Sequence, residues 1–202
     1  MKKRIFILLT CSLLLMVVVV SFGNGFSNFI REKLTGYEEI PTLSTPASGE
    51  FKARINPDKT AINYELSYDI GETDPNVNRV TQAHIHLGAR AFNGGISVFL
   101  CTNLTPPAGV PVPPPCPDTS GKVTGTLTAA DVLGPAAQGI AAGEFDELVK
   151  AIRAGVTYAN VHTTRFPGGE FRAQLEPNKN SPHHRDNDDD SGQCRDDHGD
   201  HH

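Results

Sequence analysis

The sequence predicts an all-β protein, an antiparallel sandwich or barrel of about seven to nine short strands with one short helix. Three observations indicate this fold class. Apolar and polar residues alternate over many short segments, the chain of 202 residues contains 19 Gly and 15 Pro, and Trp is absent. Such a composition favours a sheet with many turns over a helical bundle.

The clearest alternation predicts a hairpin. The odd positions are apolar in residues 51–55, and the even positions are apolar in residues 62–70. Between them, Asn56-Pro57-Asp58-Lys59 has turn chemistry, because Pro fixes one dihedral angle and Asn or Asp bonds back to the backbone. The same alternation, with Gly-rich turns between segments, predicts further strands at about residues 33–37, 79–87, 95–101, 122–127, 156–162 and 169–175.

One segment has helical periodicity instead. Its apolar residues recur at spacings of three and four and are followed by a glycine: Phe145, Leu148, Val149, Ile152 and Gly155. This pattern predicts a helix over residues 144–154 that ends at the glycine. A helical turn is expected at residues 128–133, where Thr128 and Asp131 have the spacing of a capping box.

The two ends of the chain differ from the middle. Met1-Lys2-Lys3-Arg4 precedes an apolar run over residues 5–20, so residues 1–25 are predicted to be a secretory signal peptide or, if uncleaved, a membrane anchor. Residues 177–202 are rich in Asp, His, Asn and Ser and are predicted to form a disordered tail. One domain is expected over residues 30–176. The leader places it outside the cytoplasm, as a secreted, cell-surface or periplasmic protein.

Charge is unevenly distributed along the chain. The formal net charge is −5, and residues 176–202 alone contain eight acidic and three basic side chains. The rest of the chain is therefore close to neutral. No basic patch of the kind that nucleic-acid binding requires is present, so nucleic acid is excluded as a partner.

The cysteines predict one disulfide. Cys101 and Cys116 flank the Pro-rich segment 102–115, and in an exported chain this pair is expected to be oxidised. Two free thiols are the alternative. Cys11 belongs to the leader, and Cys194 lies in the tail without a partner in this assignment.

Three of the eight histidines lie in the predicted domain. His84 and His86 are two residues apart on an expected strand, so their side chains point to the same side. His162 lies on another expected strand. If the two strands are neighbours, the three imidazoles converge, which is sufficient for copper or zinc with one open coordination position.

The alternative is a structural role for these histidines. In that case the rings anchor a loop by hydrogen bonds, with Asn160 or Gln82 as the partner. A metal-binding imidazole also needs an acceptor for its other nitrogen, and Glu170 is the nearest candidate in the sequence. Arg165, Arg172 and Glu170 are otherwise expected to form a solvated face.

Three stretches resemble a known family in their order and spacing: residues 34–41, residues 83–88 with 93–95, and residues 158–163 with 167–175. They look like the CHRD domain, first described in chordin and common in exported microbial proteins. The resemblance implies a Greek-key or immunoglobulin-like sandwich over about residues 30–176. It implies no general enzymatic activity.

The segment His84-Ile85-His86 is also similar to the His-x-His strand of copper–zinc superoxide dismutases, which are Greek-key sandwiches. Those enzymes use further histidines in a long loop. The corresponding region here contains Arg90, Asn93 and prolines but no histidine. Dismutase activity is therefore not expected.

Two functions follow from these observations. The first is a non-enzymatic extracellular module that binds an unknown protein or surface partner, because no nucleophile elbow, phosphate loop or catalytic carboxylate pair is evident. The second is an extracellular copper or zinc protein that uses His84, His86 and His162. The tail histidines would then be weak metal sites, or the tail would only aid solubility; they are His183, His184, His198, His201 and His202.

Overall fold

A computed structural model of the chain describes residues 28–106, 108–109 and 111–176. The predicted leader, the predicted disordered tail and the tail histidines His183, His184, His198, His201 and His202 lie outside the described residues. In the part that is described, no helix is both long and apolar enough to cross a membrane.

Eight strands and one α-helix form the described domain. The strands are β1 Phe29–Thr35, β2 Ser48–Ile55, β3 Ile62–Asp69, β4 Val80–Leu87, β5 Gly95–Thr102, β6 Ser120–Leu127, β7 Thr157–Thr163 and β8 Phe171–Gln174. The helix α1, Phe145–Arg153, lies between β6 and β7 in the chain. The predicted all-β class with one short helix is confirmed, and the strand bounds differ from the prediction by a few residues at most.

All eight strands belong to one sheet in the order β5-β4-β7-β8-β1-β2-β3-β6. Every strand pair is antiparallel. The sheet curls so that its two edge strands, β5 and β6, lie beside each other. Of the two predicted forms, the structure therefore has the nearly closed barrel.

Tyr64 crosses the gap between the edge strands. Its hydroxyl, on β3, donates to the carbonyl of Leu100 on β5. The ring reaches past Gly125 of β6, where an added Cβ would lie only 2.6 Å from the tyrosine hydroxyl. The glycine therefore leaves the space that this bridge requires.

The predicted hairpin is present and joins β2 to β3. Ile55 pairs with Ile62, and both side chains are fully buried. The turn is held by Asn56, whose side-chain oxygen accepts from the backbone N–H groups of Thr60 and Ala61. Asn at this position thus supplies the acceptor that the turn needs.

The predicted helix and helical turn are also confirmed. Leu148 and Ile152, one turn apart on α1, are fully buried in the apolar core. A 3-10 turn at Ala129–Asp131 begins where the Asp131 carboxylate accepts from the backbone N–H of Thr128. This contact is the capping-box bond that the spacing predicted.

Cys101 and Cys116 form the predicted disulfide, and both are buried. Asn103 fixes the same region, because its side chain donates to the carbonyls of Val80 and Cys116 and accepts from the N–H of Cys116. The Pro-rich segment is thus attached to β4 and β5 at its two ends.

Replacing both cysteines by Ala is expected to lower the free energy of unfolding by about 3 kcal/mol, because the crosslink restricts a loop of 15 residues in the unfolded chain. Urea unfolding of the C101A/C116A variant measures the difference. The wild type under reducing conditions is the control and should behave like the variant. An unchanged transition midpoint would contradict this prediction.

Candidate metal centre

The three domain histidines lie on one face of two neighbouring strands. β4 pairs with β7 so that Gln82 is opposite His162, and His84 is opposite Asn160. Residues opposite each other in a ladder point to the same side, so His84, His86 and His162 share the outer face of the barrel. The other face of β4 carries apolar residues of the core.

The imidazoles are close together and buried. Their candidate ligand nitrogens all lie within 4.8 Å of one another. The ring centroids of His84 and His162 are 4.9 Å apart, and those of His84 and His86 are 5.3 Å apart. Only 0%, 7% and 6% of His84, His86 and His162 are exposed to solvent. The sequence-predicted ligands therefore form a single cluster.

Backbone carbonyls fix the orientation of two rings. The Nδ1 atom of His86 lies 3.0 Å from the carbonyl oxygen of Gly94, and Nδ1 of His162 lies 3.0 Å from that of Pro167. A carbonyl can only accept, so each Nδ1 carries the hydrogen of its neutral ring. Each Nε2 then holds a lone pair, and neither Nε2 has a hydrogen-bond partner.

His84 is the innermost of the three. It is completely buried, and neither of its ring nitrogens has a hydrogen-bond partner. Its ring meets the edge of Phe99 at a centroid distance of 4.3 Å. A buried polar atom without a partner costs about 1–3 kcal/mol. The cluster thus contains four such nitrogen atoms, counting both of His84.

Burial keeps all three rings neutral. It lowers the pKa of His84 to about 2 and that of His86 to about 4, and it also lowers the pKa of His162. Mutual repulsion between the charged forms of the rings lowers the first two further. At neutral pH the cluster therefore presents lone pairs, which is the form that binds a metal ion.

A stack of side chains borders the cluster. The rings of His86 and Tyr158 are nearly parallel, with centroids 4.8 Å apart, and the Arg172 guanidinium carbon lies 4.6 Å from the Tyr158 centroid. The Tyr158 hydroxyl accepts from the N–H of Gly94. Arg172 is further held by the Glu38 carbonyl and by the Asn93 side chain. The stack therefore joins the cluster to the loop at residues 88–94.

A family model, the CHRD domain, matches residues 30–175. The chain belongs to the CHRD domain family. This finding confirms the resemblance carried by the three sequence stretches. Comparisons with the curated proteins and with the solved structures gave no match.

The structure corrects the predicted role of Glu170 in the CHRD domain. Its carboxylate accepts from Thr45, Asn78 and Thr163 and does not contact a histidine nitrogen. The acceptors for His86 and His162 are backbone carbonyls instead. The position of Glu170 close to His162 in the sequence was misleading. The acceptors are backbone carbonyls, and their positions depend on the path of each loop and not on the type of residue.

Asn160 and Gln82 were predicted as ring partners, and this prediction is wrong. Every ring nitrogen of the cluster either meets a carbonyl or has no partner. The CHRD domain does use two of its histidines to anchor loops, as the structural alternative expected. Because each anchor uses only Nδ1, the anchoring leaves Nε2 of the same ring available.

The predicted solvated face is also wrong for two of its three members. Arg172 is only 3% exposed and Glu170 only 1%, whereas Arg165 is exposed. The loops between β4 and β5 and between β7 and β8 cover this face of the CHRD domain, and they bury its polar side chains. A sequence signal exists: Glu170, Arg172 and Gln174 alternate with apolar residues, as one face of a strand would.

Proposed function

We propose that the CHRD domain binds a transition-metal ion, copper or zinc, through His84, His86 and His162. One observation carries this proposal. Four nitrogen atoms of three neutral imidazoles are buried together without hydrogen-bond partners. An ion at the centre of the cluster would engage three of these four atoms, one from each ring, and offset most of the cost of burying them. We assign no reaction to the site.

The geometry fits such an ion after a small movement. Bonds of about 2.0–2.1 Å place the nitrogens of a three-coordinate or tetrahedral site about 3.4 Å apart. The candidate atoms lie within 4.8 Å of one another, so binding would draw the rings together by about 1 Å. The carbonyls of Gly94 and Pro167 are suited to orient His86 and His162, because second-nitrogen acceptors commonly fix metal ligands.

We further infer that the domain acts outside the cytoplasm. The support is the leader pattern at residues 1–25 together with the Cys101–Cys116 disulfide. Disulfides persist in oxidising compartments and are rare in the cytosol.

A role as a module for an extracellular protein or surface partner stays a prediction. The exposed large apolar side chains of the described residues lie on separate segments; they are Phe29, Tyr37, Val77, Phe92, Leu104 and Val112.

The test uses a full-length chain in which the tail histidines are replaced by Asn, so that only the domain imidazoles remain. This tail-silenced chain carries substitutions at His183, His184, His198, His201 and His202. Titration calorimetry with Zn(II), Cu(II) and Ag(I) should find one equivalent of at least one ion bound. His84→Ala should weaken that binding by about 100-fold or more, since it removes a ligand outright.

Gln82→Ala is the matched control for the His84 variant. Gln82 lies on the same face of β4, opposite His162, but it contacts no ring nitrogen. Its replacement should leave the affinity unchanged. If no ion binds to the tail-silenced chain, or if the His84 variant binds as tightly as its parent, the proposed site is wrong.

A further inference from the structure

The candidate ligand set carries no negative charge. All three ligands are neutral imidazoles, and no carboxylate of the described residues belongs to the group that could hold one ion. The site therefore offers lone pairs without offering charge compensation.

A buried positive charge lies beyond the Tyr158 ring. Arg172 lies behind Tyr158, on which His86 is stacked, with its guanidinium carbon 4.6 Å from the Tyr158 centroid. The guanidinium is 3% exposed and cannot turn into solvent, because the Glu38 carbonyl and the Asn93 side chain hold it. An ion in the cluster would be repelled by this charge.

The carboxyl groups of Glu39 and Glu170 are also buried. The carboxylate of Glu170 accepts from three donors, Thr45, Asn78 and Thr163, and contacts none of the three rings. Glu39 lies 3.9 Å from Arg172, and burial raises its pKa to about 7, so at neutral pH it offsets Arg172 only partly. Arg172 and both carboxyl groups lie outside the group of candidate ligands, so no ligand of the ion would carry a negative charge.

Ion charge then decides the affinity. The cost of placing a charge in a buried site grows with the square of that charge, and repulsion from Arg172 grows in proportion to it. A divalent ion must bring an anion into the site or remain uncompensated. A monovalent ion bears a much smaller cost. Three imidazoles can complete the coordination of Cu(I), whereas Zn(II) takes a fourth ligand, such as a water, in the open position.

We propose that the site of His84, His86 and His162 selects monovalent Cu(I) over the divalent ions Zn(II) and Cu(II), with Arg172 as the residue that sets this selectivity. The inference rests on the proposed function and specifies its ion. Arg172 acts through its charge and is not a ligand.

Competition titrations on the tail-silenced chain test the selectivity. The probes are Ag(I), which is monovalent and does not change its oxidation state, Cu(I) kept reduced by ascorbate, and Zn(II). We expect Ag(I) and Cu(I) to bind at least about 100-fold more tightly than Zn(II). Zn(II) binding as tightly as Ag(I) would overturn the selectivity while leaving the metal site in place. If His84→Ala leaves the affinities for Ag(I) and Zn(II) unchanged, the site itself is wrong.

Charge variants separate electrostatics from packing. Arg172→Gln should raise the Ag(I) affinity by about tenfold and the Zn(II) affinity by about 100-fold, because repulsion doubles with ion charge. Arg172→Lys keeps the charge and should retain the parent selectivity. Glu39→Gln at pH 8 removes a negative charge and should shift the ratio in the opposite direction.

The ratio of the two affinities is the informative readout. A purely structural effect of Arg172→Gln would change both affinities by the same factor, and that result would overturn the role given to Arg172. Circular dichroism checks the fold of each variant. If Arg172→Gln does not fold, Glu39→Gln carries the test alone, and an unchanged ratio in it at pH 8 would overturn the proposal.

Discussion

Lowering the pH from 7.5 to 5 is expected to destabilise the metal-free domain steeply, with a slope that approaches about 3 kcal/mol per pH unit below pH 6. The cause is the neutral, buried state of His84, His86 and His162. Their pKa values are lowered in the folded domain, to about 4 for His86 and about 2 for His84. The unfolded chain takes up a proton on each ring near its ordinary pKa of 6.5.

The sign follows from proton uptake. Above pH 6.5 the three rings are mostly neutral in both the folded and the unfolded state, so they contribute little pH dependence to the free energy of unfolding. Below it the unfolded state binds up to three more protons, each contributing about 1.4 kcal/mol per pH unit in favour of unfolding. Glu39 opposes this trend, because its pKa is raised from 4.5 to about 7 in the folded domain. The net difference is therefore at most about two protons in this window.

Urea unfolding at pH 7.5, 6 and 5 in the presence of a chelator measures this slope. His84→Asn in the same background removes a ring whose pKa falls to about 2 in the folded domain, and it should flatten the curve by about 1.4 kcal/mol per pH unit. A stability that does not change between pH 7.5 and 5 would mean that the rings are not buried in solution as the structure has them.

Replacing Gly94 by Ala is expected to lower the metal affinity by at least about 10–100-fold and to destabilise the domain. An added Cβ would lie 1.6 Å from the backbone carbonyl oxygen of Leu87 and 2.5 Å from its carbon, so the backbone of the loop must move away from β4. That movement breaks two contacts of Gly94, its carbonyl with Nδ1 of His86 and its N–H with the Tyr158 hydroxyl.

Two changes to the site follow from this movement. First, His86 loses the acceptor that fixes its ring, and such a loss typically lowers metal affinity by about 10–100-fold. Second, the loop that covers the cluster is displaced. Ag(I) and Zn(II) titration of the variant measures the first effect. Thermal unfolding of the chelated protein measures the second.

Gly168→Ala is the matched control. Gly168 lies in the other loop that covers the cluster, between β7 and β8, and a Cβ added to it meets nothing within 4 Å. Metal affinity and stability should therefore match those of the wild type. A Gly94 variant that behaves like the Gly168 variant would show that the anchor at His86 does not support the site.

The strands and the helix could be predicted because their causes are local. Alternation along β3 and helical spacing along α1 both reflect burial of one side, and both segments were found within a residue or two. Closure into a barrel was predicted only as one of two forms. It depends on how Tyr64 meets Leu100 across Gly125, three residues that are distant in sequence.

The candidate site could be predicted in part. Two histidines at a spacing of two must share a strand face, so the pairing of His84 with His86 is visible in the sequence. Their proximity to His162 required that β4 and β7 be neighbours in the sheet. The sequence does not reveal this pairing, because β5, β6 and α1 lie between the two strands in the chain. The carbonyl anchors and the buried Arg172 could not be predicted, because loops that cover the face create both.

The pairing of β4 with β7 gives the three imidazoles a further consequence during folding. Slipping β7 by one residue along β4 would turn each of its side chains to the other face. Val161 would then stand beside His84, and His162 would enter the apolar interior. An ion that requires all three rings would stabilise the native register of these strands but not a register shifted by one residue. Metal binding would thus favour the correct register of β4 and β7, in a chain where the pairing of β4 has irregularities in register.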